Sequence, residues 1–148
     1  MEDKQEQLLQ IVSQSMSRGD LQTAFRAAQE LLQNHPENPR SWHLNCDILL
    51  RARQVDKALS LARQARARFF GSVPLTINLC ECLLAAGATE EAKKQADELA
   101  ASTLEEPFAI GSLAQVYAAL NEHETSLSLY QQALVLMPEE ASFHYNLA

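Results

Sequence analysis

Three cysteines and four histidines are the side chains of this sequence that could support redox or metal chemistry. The cysteines are Cys46, Cys80 and Cys82, and the sequence has neither a Cys-x-x-Cys nor a His-Glu-x-x-His motif. On a helix, Cys80 and Cys82 would point in different directions because residues two apart do not share a face. The histidines do not share a predicted helix at ligand spacing either. We therefore predict no metal site and no cofactor.

Arginines are the second group of side chains that could have a function, because they can bind anionic ligands. The segment 40–68 has seven basic residues against two acidic ones, a net charge of +5, whereas the whole chain carries −7. Arginines bind phosphate, so this segment could contact nucleic acid. The acidic total and the lack of interleaved aromatic residues argue against that function, and we predict no nucleic-acid partner. A solvated face, or pairing with the acidic C-terminal third of a neighbouring molecule, fits better.

Motifs for covalent catalysis or phosphate binding are missing from the sequence. There is no Gly-rich phosphate loop, no nucleophile elbow and no histidine with a carboxylate partner at a recognisable spacing. The paired acids, such as Glu90 and Glu91, fall near predicted helix starts or turns, where negative charge suits the helix dipole. We predict that these 148 residues contain no catalytic residue and have no enzymatic activity.

Helices must position all of these side chains. The chain is 47% hydrophobic, has four Gly and five Pro, and shows no run of alternating β-branched residues. No basic region leads into an apolar core at the N-terminus, and no apolar run approaches the roughly 18 residues that would span a bilayer. An odd number of cysteines argues against a disulfide framework. We predict an all-α, cytoplasmic protein with no membrane contact.

A period of 34 residues organises the chain without any insertion. The predicted units are 5–38, 39–72, 73–106 and 107–140, with a partial fifth unit at 141–148. The twentieth position is always small, as close helix crossing requires, and reads Ala24, Ala58, Ala92 and Ser126. The eighth position reads Val12, Cys46, Cys80 and Ala114. We therefore interpret Cys46 and Cys80 as small packing residues rather than as a redox pair.

Two positions depart from this repeat. The fifteenth position, where the first helix of each unit ends, reads Gly19, Arg53, Gly87 and Asn121. Gly and Asn favour a left-handed helix end, so Arg53 is the exception. Asn45 is a polar residue in the otherwise apolar seventh position.

These residues resemble the tetratricopeptide repeat. Trp42 fills the aromatic position of the second unit, Tyr117, Tyr130, Ala133 and Pro138 fill their positions in the fourth, and residues 144–148 resemble the opening of a fifth. The resemblance implies a single domain over 1–148: an α-α superhelix of antiparallel helical hairpins, with four repeats and the start of another. Because the chain stops inside that repeat, we expect an N-terminal fragment of a longer chain, or self-association through the uncapped C-terminal edge.

The resemblance also implies a concave groove lined by set positions of each first helix. Carried over to this sequence, those positions hold Leu9, Ser13, Met16, Arg40, His43, Asp47, Leu50, Arg51, Ile77, Glu81, Leu84, Phe108 and Gln115. Family members that grip a terminal carboxylate use Lys, Asn and Arg in the groove. Of the matching residues here, only Asn78 could serve, so we do not expect a carboxylate clamp.

The function that this resemblance implies is a scaffold that holds a protein or peptide partner in the groove. An amphipathic helix or an extended segment would suit it, including the parent protein's own downstream domain. The alternative is an N-terminal arm that recruits substrate or supports assembly in a larger bacterial sulfotransferase or glycosyltransferase. The catalytic domain of such an enzyme would lie beyond residue 148.

Overall fold

A computed structural model describes residues 3–102 and 104–140, and all regular structure within these ranges is helical. The helices are α1 (Lys4–Ser17), α2 (Leu21–Asn34), α3 (Pro39–Arg51), α4 (Val55–Arg68), α5 (Val73–Ala85), α6 (Thr89–Ala100), α7 (Pro107–Ala119) and α8 (His123–Leu136). The predicted all-α class is confirmed. The predicted opening of a fifth unit lies outside the described residues.

Each of the four predicted 34-residue units contains one pair of helices. The helices α3, α5 and α7 begin at the first residue of their predicted units. Pro39 and Pro107 stand in the first turns of α3 and α7, where a backbone N–H has no partner within the helix. The Asn38 side chain accepts a hydrogen bond from the Arg40 N–H, and the Glu106 carboxylate caps α7 in the same way. Local capping chemistry therefore sets where these hairpins start.

The two helices of a hairpin cross where the repeat has its small residues. Ala58 and Ala92 are fully buried. The Cys46 thiol lies 3.9 Å from the Ala58 carbonyl oxygen, and the Cys80 thiol lies 3.8 Å from that of Ala92. All three cysteines are buried, and none forms a disulfide. The thiols of Cys46 and Cys80 thus fill the helix crossing, as the small-residue interpretation predicts.

The turn inside each hairpin uses one left-handed residue. The φ angles are 76° at Gly19, 61° at Arg53, 80° at Gly87 and 63° at Asn121. Arg53 departs from the repeat in residue type and yet has the same backbone conformation as the others. This conformation costs a non-glycine residue roughly 1–2 kcal/mol. The hairpin geometry therefore dictates the turn even where the local residue opposes it.

The chain divides into two compact units, each larger than one 34-residue repeat. The first unit is Met1–Asn78 and the second unit is Leu79–Ala148, and the two terms keep this meaning below. In the first unit, α2 packs against both α1 and α3. One core cluster joins these helices through Val12, Leu31 and Ile48, and a second is built on Trp42, Ala65 and Leu75. In the second unit, α8 packs on α7 through a cluster that includes Ile110 and Tyr130.

Asn45 is buried at the contact between α2 and α3. Its Nδ2 donates hydrogen bonds to the carbonyl oxygens of Ala28 and Ser41, both at 2.8 Å. The bond to Ala28 links the two helices. Asn45 therefore has a structural role in the otherwise apolar seventh position of the repeat, because its donors are satisfied inside the core.

Tyr117 connects α7 to α6 in the second unit. Its buried hydroxyl donates a 2.6 Å hydrogen bond to Oδ1 of Asp97, which also pairs with Lys93 at 3.2 Å. The hydrogen bond from Tyr117 is the main reason why the pKa of Asp97 lies below its usual value. Burial, followed by the same hydrogen bond, raises the pKa of Tyr117.

We expect Tyr117→Phe to lower the free energy of unfolding at neutral pH, because the variant loses the hydrogen bond to Asp97. The loss should be only about 1 kcal/mol, since the Asp97 carboxylate is largely exposed and screened by solvent. A lowered folded-state pKa stabilises the fold above the unfolded pKa of about 3.9, and that contribution disappears as the pH falls through the folded value. The deficit of the variant should therefore shrink between about pH 6 and pH 2. Urea unfolding at several pH values measures it.

The matched control is Tyr130→Phe, since Tyr130 is also buried but hydrogen-bonds the neutral Gln115. The free energy of unfolding of Tyr130→Phe should differ from that of the parent chain by a constant amount over the same pH range. A Tyr117→Phe deficit that is equally independent of pH would contradict the assigned pair.

Candidate functional site

Most of the predicted groove residues of the first unit line a cleft between α1 and α3. The cleft has a volume of about 210 Å³. Its lining comprises Leu9, Val12, Ser13 and Met16 from α1 with Arg40, Leu44, Asp47 and Arg51 from α3. Six of these eight residues were predicted from the repeat positions. The structure therefore brings most of the first-unit candidates to one place.

Helical periodicity explains why these side chains share a face. Arg40, Leu44, Asp47 and Arg51 are spaced by three or four residues, so they form one stripe along α3. The opposite side of α3 is anchored in the core by the buried residues Trp42, Asn45 and Leu49, which are also three and four residues apart. Burial of that side leaves the Arg40 stripe facing the cleft.

The electrostatics of this cleft are uneven. Arg51 Nε lies 3.9 Å from Asp47 Oδ2, so these two charges largely offset each other. Arg40 is exposed and forms no ion pair with any residue that the structure describes. The cleft consequently offers one uncompensated guanidinium beside the apolar side chains of Leu9, Met16 and Leu44.

Arg40 also borders a second cleft, of about 480 Å³, at the N-terminal ends of α3 and α5. Its lining residues are Asn38, Pro39, Arg40, His43, Ser72, Pro74 and Leu75. The two clefts share Arg40, so they form adjoining parts of one surface, which we call the first-unit groove.

His43 is the titratable ring in this second cleft. Burial lowers the pKa of His43, while Asp47 opposes the shift and Arg40 adds to it. The ring is therefore neutral at pH 7. Its Nδ1 is buried and has no hydrogen-bond partner among the described residues.

Three candidates on α3 and α5 lie elsewhere. Leu50 is half-buried and lines neither cleft. Ile77 is only 5% exposed, so its placement on an open groove is wrong. The reason is that residues 75–80 are all buried, which encloses α5 on every face over that stretch. Asn78 is buried as well, and neither polar atom of its amide has a partner within the described part of the chain.

The remaining candidates belong to the second unit. Glu81 and Leu84 are half-buried on α5, whereas Phe108 and Gln115 are exposed on α7. That these four residues line a groove stays a prediction.

Sequence reasoning missed several lining residues. Asn38 and Ser72 line the second cleft and also cap helices, since Ser72 Oγ accepts a hydrogen bond from the Leu75 N–H. Their position directly before a helix start was the available signal. Leu44 also lines the first cleft, and Pro74 also lines the second.

A separate cavity of about 540 Å³ lies between α2 and α4. Phe25, Leu32, Leu49 and Leu61 supply its apolar lining, with glutamines and Lys57 among its polar residues. The repeat pattern does not predict it.

Between residues 3 and 140, leaving out 103, no three His, Cys, Asp or Glu side chains form a group that could hold a metal ion. Over the same range, no helix is both long and apolar enough to cross a membrane.

Comparison with known proteins defines the class of this chain. The tetratricopeptide repeat family model matches residues 15–71 and 49–113. The chain therefore belongs to the tetratricopeptide repeat family, and its fold is the helical repeat fold of that family. No curated protein sequence matches the chain.

Solved structures share this fold at low sequence identity. TTC0263, a thermophilic tetratricopeptide repeat protein of Thermus thermophilus, is 17% identical with a TM-score of 0.81, over 97% of this chain and 79% of that one. YrrB, described as having an unusual peptide-binding site, is 16% identical with a TM-score of 0.63, over 91% and 70%. The TPR2B domain of yeast Sti1, solved in a complex with pHsp70, is 14% identical with a TM-score of 0.58, over 93% and 98%.

Proposed function

We propose that this chain is a protein-interaction module that binds a partner polypeptide in the first-unit groove. The observation that carries the proposal is the convergence of six predicted groove residues on one cleft that adjoins a second through Arg40. Family membership supports a scaffold role, and two structural neighbours, YrrB and the Sti1 domain, are described as binding a peptide or as part of a complex.

The chemistry of the groove suggests the kind of segment it accepts. Arg40 is exposed and forms no ion pair within the described part of the chain, so it favours a carboxylate on the ligand, which would form a charge-assisted hydrogen bond with it. Leu9, Met16 and Leu44 favour apolar side chains close to that carboxylate. We infer a peptide segment with an acidic residue flanked by apolar ones.

Selection of random peptides on the immobilised chain tests this function. We expect enriched peptides to contain Asp or Glu beside apolar residues, and Arg40→Glu to weaken their binding at least about tenfold, equivalent to roughly 1.4 kcal/mol. Fluorescence anisotropy of a labelled enriched peptide measures the affinity.

The matched control is Arg26→Glu, which makes the same charge change at an exposed position of α2 away from both clefts. Because Arg26 contacts neither cleft, this variant changes only the long-range charge and should leave the affinity within about twofold of the parent value. The proposal fails if Arg40→Glu binds the enriched peptides as tightly as the parent chain, or if both variants lose affinity equally.

A further inference from the structure

The two compact units carry opposite net charges. Residues 1–78 contain ten basic and eight acidic side chains, a net charge of +2, whereas residues 79–148 contain two basic and eleven acidic ones, a net charge of −9. A chain with this polarity has an electrostatic attraction between the first unit of one molecule and the second unit of another.

A basic and aromatic patch lies at the C-terminal end of α4. Phe70 is 86% exposed, and the guanidinium carbon of Arg66 lies 4.7 Å from the centroid of its ring. Arg68 lies 5.8 Å from the Trp42 ring and 5.7 Å from the Phe69 ring. Arg66 and Arg68 are two residues apart and so lie on different sides of α4, one against Phe70 and the other against Trp42 and Phe69. The two guanidinium groups flank the C-terminal end of the helix, and we call Arg66, Arg68 and Phe70 the basic-aromatic patch.

Neither arginine of this patch pairs with a carboxylate anywhere in residues 3–102 or 104–140. The Nε of Arg66 is buried without a partner in the same ranges. The aromatic rings hold both guanidinium groups in place and leave their charge uncompensated. The patch therefore combines an exposed apolar ring with two positioned cations.

An acidic and apolar face of opposite character lies on α8. Leu127 is 44% exposed and Val135 is 82% exposed. Glu124, Leu127 and Val135 fall on one side of the helix, because offsets of three and eight residues return to the same face. Glu139 is exposed just beyond the helix end. We call Glu124, Leu127, Val135 and Glu139 the acidic-apolar face.

We propose that the basic-aromatic patch of one molecule docks on the acidic-apolar face of a second copy of this chain. Each surface supplies what the other lacks: Phe70 covers exposed aliphatic side chains, and Arg66 and Arg68 meet the exposed carboxylates of Glu124 and Glu139. Because the two surfaces differ, the contact is heterologous, and repeated docking produces rings or open chains. The patch and the face lie outside the first-unit groove, so this contact is independent of peptide binding.

A second copy fits the patch better than an anionic bilayer does. A lipid surface would attract Arg66 and Arg68 but would repel the second unit, which carries a net charge of −9. It would also leave the apolar side chains on α8 uncovered. Docking between copies uses both surfaces.

Sedimentation velocity at low and high salt tests the contact. At about 20 mM salt, the weight-average mass should rise with concentration above the 16.5 kDa of the monomer, and at about 1 M salt it should return to the monomer, because screening shortens the reach of the charges. Arg66→Gln with Arg68→Gln, and separately Glu124→Gln with Glu139→Gln, should each weaken self-association at least about tenfold.

Mixing the two double variants gives the decisive result. Each retains one intact surface, so the mixture should form a one-to-one heterodimer that grows no further. This outcome also shows that both variants remain folded. The control, Arg18→Gln with Arg26→Gln, removes the same charge from exposed positions in the N-terminal hairpin and should associate like the parent chain.

Four results would overturn the proposal. They are a parent chain that stays monomeric at low salt, association that persists at high salt, a control that dissociates as readily as the patch variants, and a mixture without heterodimer. Binding of the parent chain to phosphatidylserine vesicles through Arg66 and Arg68, without self-association, would assign the patch to lipid instead.

Discussion

Trp42→Ala is expected to lower the free energy of unfolding by about 3–5 kcal/mol, because it empties the centre of the second core cluster of the first unit. Trp42 is 9% exposed and packs with Ala65 and Leu75. Its ring meets Phe69 edge to face at 6.2 Å, a geometry that adds to the energy of burial. The Nε1 group also donates a 2.8 Å hydrogen bond to the Pro36 carbonyl oxygen.

Urea unfolding followed by far-ultraviolet circular dichroism is the suitable measurement, because Trp42 is the only tryptophan and its fluorescence disappears in the variant. Trp42→Phe is the matched control. It retains an aromatic ring against Phe69 but loses the hydrogen bond to Pro36, so we expect a smaller loss of about 1–2 kcal/mol. A loss below about 1 kcal/mol for Trp42→Ala would contradict the central packing of this residue.

Asn45→Asp is expected to destabilise the fold by about 3 kcal/mol or more at neutral pH, although it hardly changes the shape of the side chain. Asn45 is 2% exposed, and its Nδ2 donates to two carbonyl oxygens. A carboxylate at this position has no proton to donate, so it repels the carbonyl oxygens of Ala28 and Ser41. The repulsion acts inside the core, where water cannot screen it.

The pH dependence distinguishes this mechanism from a packing defect. Burial raises the folded-state pKa of the introduced carboxyl group above the unfolded value of about 3.9. The destabilisation is then complete above the raised pKa and decreases as the pH falls towards the unfolded value. Thermal and urea unfolding of the variant between about pH 7 and pH 3 measure the change.

Two controls separate the contributions at this position. Asn34→Asp makes the same chemical change at an exposed residue of α2 and should alter stability by less than about 1 kcal/mol. Asn45→Leu removes the donors without adding charge and should cost less than Asn45→Asp. An Asn45→Asp variant as stable as the Asn34→Asp variant would show that Asn45 does not bridge α2 and α3.

The repeat pattern predicted the hairpins because their determinants are local. Helix starts at Pro39 and Pro107 follow from capping and from the tolerance of proline in a first turn. The small residues Ala58 and Ala92 mark helix crossings, since only a short side chain permits close approach. Seven of the fourteen residues that line the first-unit groove followed from the same register, because residues three and four apart share a helical face.

Other residues show why the rest could not be predicted from the pattern. Arg53 and Asn45 are not the residue types that the repeat predicts at their positions. The turn geometry nevertheless imposes a left-handed conformation on Arg53, and the α2 backbone accepts a hydrogen bond from Asn45. The repeat rule assumes that a given position is equally open in every unit. Ile77 breaks that assumption because α5 is buried around it.

Periodicity and side-chain size along the chain already encode the positions of Cys46 and Cys80 at helix crossings and the 34-residue hairpin register, and the lack of known catalytic motifs can also be read from the sequence. In contrast, the position of Arg40 between two clefts, the burial of Ile77 and the stacking of Arg66 on the exposed Phe70 arise only when the helices pack together. These properties depend on which side chains from other segments approach a residue in space. Spacing along one helix does not contain that information.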